Sequence, residues 1–238
     1  MLVATLSGCG SSLAGPTVVV FAAASLTKSF TEIGAQFKTQ NPGSSIEFSF
    51  AGSSDLVTQL TQGATADVFA SADATNMDKA ADAGLLAGDP VNFASNTLAI
   101  AVAPDNPKKV AGFADLNRPG VSVVMCAPQV PCGAATKRIE DATGVRLDPV
   151  SEESSVTDVL NKVTSGQADA GLVYVTDALA AGDRVTTVKF AEADDAVNTY
   201  PVAVLKNASD AGLAQKFVDF VTGETGQNIL GQAGFGKP

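Results

Sequence analysis

The sequence predicts an α/β protein in which strands and helices alternate, giving largely parallel sheets with helices on both faces. Three observations carry this. Short apolar runs of strand length recur, as in Val18–Ala22, Leu98–Val102 and Ala170–Val173. Several strand ends meet a small or hydroxyl residue and then an apolar pattern at helical spacing. The 238 residues, 45% of them hydrophobic, suffice for one large or two medium well-packed domains.

The elements follow in order. Val18–Ala22 is a strand that stops at Ser25 and turns at once into a helix, Leu26–Gln40, with Leu26, Phe30, Ile33 and Phe37 on one face. Asn41-Pro-Gly43 ends it. Ile46, Phe48 and Phe50 alternate as a strand, and Gly52-Ser-Ser-Asp55 leads into a helix carrying Leu56 and Leu60. Asp67–Ala70 is a third strand, followed by a helix from about Asn76 to Gly84. Leu98–Val102 is an apolar strand closed by Pro104. Pro119-Gly120 opens a new unit: strand Val121–Met125, turn Cys126–Gly133, helix Ala134–Thr143 with Gly144 as its stop. Ser154-Ser155 caps a helix through Val156, Val159, Leu160 and Val163 that ends at Gly166. Ala170–Val173 is a strand with Tyr174 at its end. Strands Val185–Phe190 and Tyr200–Leu205 and helices Asp210–Val221 and Glu224–Gln232 complete the chain. No fixed-period repeat and no transmembrane span is visible.

Composition removes whole classes of function. A net charge of −10 argues against nucleic acid, whose phosphates need a basic face, and against an adsorbing basic membrane helix. Histidine is absent. That removes the commonest general base and transition-metal ligand, and with them Ser–His and Cys–His nucleophile pairs. There is no GxGxxG and no P-loop.

The three cysteines divide unevenly. An apolar stretch ending in Leu6-Ser-Gly-Cys9 resembles a bacterial lipobox, in which the Cys is lipidated and becomes the mature N-terminus. The Ser/Gly-rich residues that follow would be a tether. No positive segment precedes it, so the chain is expected to begin inside its signal peptide. Export makes a Cys126–Cys132 disulfide plausible, closing a short loop that holds Pro128 and Pro131; the alternative is two buried thiols.

Four places share one device: a strand end, small or hydroxyl residues, then a helix start. They are Ala24-Ser25, Gly52-Ser-Ser54, Pro131-Cys-Gly133 and Ser154-Ser-Val156. Helix starts in open α/β sheets point unpaired N–H groups into the crevice where ligands bind. With the Ser hydroxyls and Tyr174, they would form a ring of neutral donors suited to a tetrahedral dianion, which has only acceptor oxygens. Taken singly, each serine is first a helix cap, and Tyr174 a packing residue with a bonded hydroxyl. Spacing cannot show that the four starts converge.

A family resemblance supplies that convergence. Val20-Phe-Ala-Ala-Ala-Ser-Leu-Thr27, Phe48-Ser-Phe-Ala-Gly-Ser-Ser54, Ala66-Asp-Val-Phe-Ala-Ser-Ala-Asp73, Val130-Pro-Cys-Gly133, Gly171-Leu-Val-Tyr174 and Tyr200-Pro-Val-Ala-Val204 occur in this order. Together they resemble the periplasmic molybdate-binding protein (ModA) family of ABC importers, over about residues 17–238. The resemblance implies a type II periplasmic-binding-protein fold: two α/β lobes joined by two crossover strands, with the ligand in the cleft. It implies oxyanion contacts from Ser25 and Ser53 in the first lobe, and from the Cys132 and Val156 N–H groups and the Tyr174 hydroxyl in the second. Cys132 stands where a small Ala is usual. Gly52 stands where Ser is also common and is not counted as a ligand.

The expected organisation is a tether over 1–16, a first lobe of 17–97 plus 203–238, and a second of 98–202. The crossings are expected in Leu98–Val102 and Tyr200–Leu205. The expected function is a receptor for molybdate, and for tungstate, serving an ABC permease with its ATPase. It would be an exported monomer, lipid-anchored at Cys9 to the outer face of the cytoplasmic membrane. No cofactor, catalytic residue or resident metal is expected. The alternatives are a receptor for sulfate or another oxyanion, a small hydrolase or transferase on the same fold, and a ferric receptor, which would want more Tyr and carboxylate ligands than this chain offers.

Overall fold

A computed structural model describes residues 15–238. Cys9 and most of the expected tether lie outside the described residues. Two five-stranded sheets form the framework of two lobes. The first sheet has β1 (Thr17–Ala23), β2 (Ser45–Ala51), β3 (Val68–Ala70), β4 (Val91–Asn96) and β10 (Asn198–Val204), in the order β2-β1-β3-β10-β4. The second has β5 (Leu98–Val102), β6 (Val123–Cys126), β7 (Ser151–Glu153), β8 (Ala170–Tyr174) and β9 (Thr186–Val188), in the order β7-β6-β8-β5-β9. Each sheet thus has the same plan. Three parallel strands are followed by one that runs against both its neighbours, β10 in the first sheet and β5 in the second. The expectation of largely parallel sheets is corrected to this extent: the ladders made by β5 and β10 are antiparallel, because these strands enter from the other lobe.

The chain leaves the first sheet at Asn96 and enters the second at Leu98, with only Thr97 between. It returns through a 3-10 segment, Ala191–Ala196, into β10. The second crossing therefore precedes the expected Tyr200–Leu205. Residues 198–202, expected in the second lobe, pair with β4 and β3 of the first. Packing fixes this placement: the Tyr200 ring lies edge-on to Phe235 at 5.4 Å and to Phe93 at 6.2 Å, inside the first lobe's core.

The helices bury the faces their patterns predict. In α1 (Thr27–Gln40), Phe30, Ile33 and Phe37 are buried beneath the preceding Leu26, and Phe217 of α7 (Ala211–Thr222) meets Phe37 edge-on at 5.5 Å. Such aromatic pairs contribute ~0.5–1.5 kcal/mol each beyond area burial. The opposite face of that sheet is covered by Leu56 of α2 (Ser53–Thr61) and Met77 of α3 (Ala74–Asp82). In the second lobe, Val159 and Val163 of α5 (Val156–Thr164) press on β8 so closely that a Cβ at Gly171 would meet both within 2.9 Å. There α4 (Pro131–Thr143) follows β6, and α6 (Val175–Ala181) leaves β8 directly. The last helix, α8 (Glu224–Gln232), packs on α1 and α7 in the first lobe.

Candidate functional site

The four strand-to-helix junctions converge between the lobes. Ser25 and Ser53 come from the first lobe, and Cys132, Val156 and Tyr174 from the second; all five line one small cavity. Gly52 also lines it, and no lysine or arginine does so among the described residues.

Each junction leaves donors free for a physical reason. At α2 the first helical bonds run from the Asp55 and Leu56 N–H groups to the Gly52 carbonyl, both at 3.0 Å. The N–H groups of Ser53 and Ser54, at the first two helical positions, have no intrahelical acceptor. The Ser53 hydroxyl accepts from the Ala72 N–H at 3.0 Å, which leaves its own proton to donate. At α4, Pro131 occupies the first position and has no N–H, and the ladder starts at Ala134, bonded to the Val130 carbonyl at 2.9 Å. The Cys132 and Gly133 N–H groups are left over. At α5 the Ser155 hydroxyl accepts from the Asp158 N–H at 3.2 Å and donates to the Asp158 carboxylate at 2.7 Å. Ser155 is thus a cap with its hydroxyl fully used, and the Val156 N–H is the group on offer. The Ser25 hydroxyl lies 3.0 Å from the Tyr200 hydroxyl.

Burial pushes the Tyr174 and Tyr200 phenols above their ordinary value, so both keep their protons and remain neutral donors. Asp177 is the exception to the neutral lining. It sits in the first turn of α6 and accepts from the Tyr174 N–H at 3.1 Å. Burial pushes its carboxyl up to about 7, against the opposing pull of that N–H. It faces a wider groove of about 640 Å³ that shares Ser25 with the small cavity and carries Lys28 and Arg184.

The start of α4 is held in place twice. A Cys126–Cys132 disulfide, with Cα atoms 5.7 Å apart, ties it to the end of β6. Gly133 lies where a Cβ would run into the carbonyls of Ala127 and Cys126. Among the described residues no group of three His, Cys, Asp or Glu side chains could hold a metal ion, and no helix is long and apolar enough to cross a membrane.

Two polar residues of this region, Asp177 and Asn198, are not marked in the sequence, and Tyr200 is marked there only as a strand and motif residue. Asn198 Nδ2 reaches the Tyr174 hydroxyl at 2.7 Å and the Ala72 carbonyl at 2.9 Å. Nothing local marks it, since an Asn in Val197-Asn-Thr199 reads as a turn residue.

Two lobes with helix starts aimed into the cleft between them define a solute receptor of the periplasmic-binding-protein class. Known proteins agree. A family model for bacterial extracellular solute-binding proteins matches residues 18–236. The molybdate-binding protein ModA of Mycobacterium tuberculosis is 62% identical over all of this chain and 95% of its own length. The Escherichia coli protein of the same name is 30% identical over 92% of this chain and 88% of its own. The Azotobacter vinelandii periplasmic molybdate-binding protein superimposes with a TM-score of 0.80 at 22% identity, covering 93% of this chain and 99% of that one. The M. tuberculosis sulfate-binding protein SubI superimposes at 0.81 and 19%, covering 92% and 86%; at such identities these two likenesses speak for the fold. The chain belongs to the ModA family of bacterial extracellular solute-binding proteins. It is a binding protein that acts outside the cytoplasm, not an enzyme.

Proposed function

We propose that the protein captures molybdate, and tungstate, between its lobes and delivers it to an ABC permease powered by its ATPase. The observation that carries this reading is the convergence of Ser25, Ser53, Cys132, Val156 and Tyr174 on one cavity without a cation. Each would give a neutral hydroxyl or backbone donor. A fully deprotonated tetrahedral oxyanion can accept all of them, whereas a protonated one would bring a donor that meets no acceptor. The cavity between the lobes is small here, about 10 Å³, the size of a single water-sized sphere. An oxyanion held there takes donors from both lobes, so it bridges them and favours their closure. Sulfate has the same charge but shorter bonds, so it reaches fewer donors at once. The protein is proposed to work as a monomer, lipid-anchored through Cys9; the support for the anchor is the Leu6-Ser-Gly-Cys9 sequence.

Ligand that binds only the closed, folded state raises stability by RT ln(1 + [L]/Kd), about 2.7 kcal/mol at a hundredfold excess over Kd. Donors that carry no net charge are screened little by salt. Molybdate is therefore expected to raise the melting temperature strongly, and equally in low and high sodium chloride. Stabilisation by sulfate and not by molybdate or tungstate would overturn the ligand assignment. Ser25→Ala and Ser53→Ala are each expected to weaken molybdate binding by ~1–3 kcal/mol, because each removes a donor to a charged acceptor. Stability should change by no more than a cap's contribution, ~1 kcal/mol. Titration calorimetry showing unchanged affinity in both variants returns these serines to a capping role.

A further inference from the structure

A hydroxyl can donate or accept, so a ring of neutral donors works only if something sets which way each proton points. For Tyr174 the structure holds that setting in Asn198, on the strand that returns from the second lobe. Asn198 Nδ2 lies 2.7 Å from the Tyr174 hydroxyl, 2.9 Å from the Ala72 carbonyl and 3.3 Å from the Pro131 carbonyl. Its Oδ1 lies 2.6 Å from Arg138 Nη2. The carboxamide cannot be turned over. A guanidinium only donates, so the atom facing Arg138 is the oxygen. Peptide carbonyls only accept, so the atom facing Ala72 and Pro131 is the nitrogen. Both constraints agree; of the two amide hydrogens, one serves the Tyr174 hydroxyl at 2.7 Å and one the Ala72 carbonyl at 2.9 Å, and the more distant Pro131 carbonyl at 3.3 Å only shares in them. The phenol oxygen therefore accepts from Asn198, and its one proton is left for another acceptor, the neighbouring Tyr200 hydroxyl or an oxyanion in the cavity. Ala72 treats Ser53 in the same way, its N–H donating to the hydroxyl oxygen at 3.0 Å.

We propose that Asn198 is the positioning residue that makes Tyr174 a donor toward the cavity, and that it thereby selects against oxyanions that carry a proton. This rests on reading the cavity as an oxyanion site. Asn198 touches no ligand in this scheme; it acts through Tyr174. Because it also holds the Ala72 carbonyl of the first lobe and the Pro131 carbonyl of the second, it does so in the closed arrangement.

Hydrogen phosphate and sulfate test the idea. In mildly alkaline buffer both are dianions of similar size, and they differ by one proton. In Asn198→Asp the new carboxylate accepts the Tyr174 proton, and the phenol turns a lone pair to the cavity. The added charge repels both anions alike, but only hydrogen phosphate can donate to that lone pair. The phosphate-to-sulfate affinity ratio is expected to rise roughly tenfold over wild type, the factor one hydrogen bond supplies. A general loosening of the fold would weaken both anions and leave the ratio where it was; an unchanged ratio overturns the proposal. If Asn198→Asp does not melt as a folded protein, or if the wild type holds too little phosphate or sulfate for a ratio to be read, a double-mutant cycle with molybdate decides. Asn198→Ala should weaken molybdate binding roughly tenfold in the wild-type chain and less than about threefold in a chain already carrying Tyr174→Phe. Equal losses in the two backgrounds overturn it. A wild-type protein that binds none of these anions fails the oxyanion reading itself, which keeps the two failures apart.

Discussion

Replacing Asp177 by Asn is expected to stabilise the protein at and above neutral pH by about 2–4 kcal/mol. The residue is buried in the first turn of α6, and the Tyr174 N–H, at 3.1 Å, is its hydrogen-bond donor. That single bond does not replace the water the carboxylate has lost, so burial lifts its value from 3.8 to about 7. The sign follows from linkage. A raised value in the folded state means that the native protein holds this proton more tightly than the unfolded chain does. The contribution of Asp177 is most favourable below the unfolded value. It declines as pH rises through the interval from 3.8 to about 7, then stays at its unfavourable limit once the native carboxyl has also ionised. Asn keeps the shape and the acceptor for Tyr174 and carries no charge at any pH. Melting curves of wild type and Asp177→Asn should coincide in stability trend at acid pH, separate across that interval and run parallel above it. A wild type that is the more stable of the two above neutrality would refute the assignment. The same carboxylate stands beside the proposed anion site, so molybdate uptake should draw in a proton and weaken as pH rises through 7. Asp177→Asn should remove that dependence.

Gly133→Ala is expected to cost at least ~2 kcal/mol of stability, in the range of overpacked cores, and to lower oxyanion affinity as well. The added methyl would collide with the backbone carbonyls of Ala127 and Cys126, and neither is the movable end of a side chain. Relief would need the 126–132 loop to shift, but the disulfide closes that loop into a small ring between β6 and α4. The strain is then passed to the first turn of α4, which carries the Cys132 and Gly133 N–H groups. Denaturant unfolding and calorimetry on the one variant check both halves of the expectation. Native stability together with native affinity would show that the turn is softer than its packing implies. Ala at the neighbouring, equally helical Ala134 is native, so the effect belongs to the site and not to helix propensity.

Much of the fold was legible because burial is written locally. Val18–Ala22, Leu98–Val102 and Ala170–Val173 are apolar runs flanked by breakers, and each lies within a strand of the structure. Ser155 and Gly144 mark helix ends by chemistry that acts over one turn. The strand β4 was missed because Val91-Asn-Phe-Ala-Ser-Asn96 is half polar; its Ser95 and Asn96 serve contacts to Gly236 and Thr176 far along the chain. Helix α6 was missed because it begins at Val175 with no loop after Tyr174. The second crossing precedes the apolar run at 200–205 that suggests it, because the switch of sheets is made by the polar segment before Asn198. At the site, the helix starts were readable one by one. Their meeting was not, since it depends on how two sheets face each other across two short connections. Only the ordered set of family motifs carried that information.

The bond between Cys126 and Cys132 also divides the life of the receptor into two stages. Thiols stay reduced in the cytosol, and disulfides persist in oxidising compartments beyond it. A newly made chain awaiting export thus holds the front of α4 by packing alone, and the loop stiffens once the chain has crossed the membrane. Preorganisation of the donors, which favours affinity by reducing what must be ordered on binding, becomes complete only outside the cytoplasm, where the receptor acts.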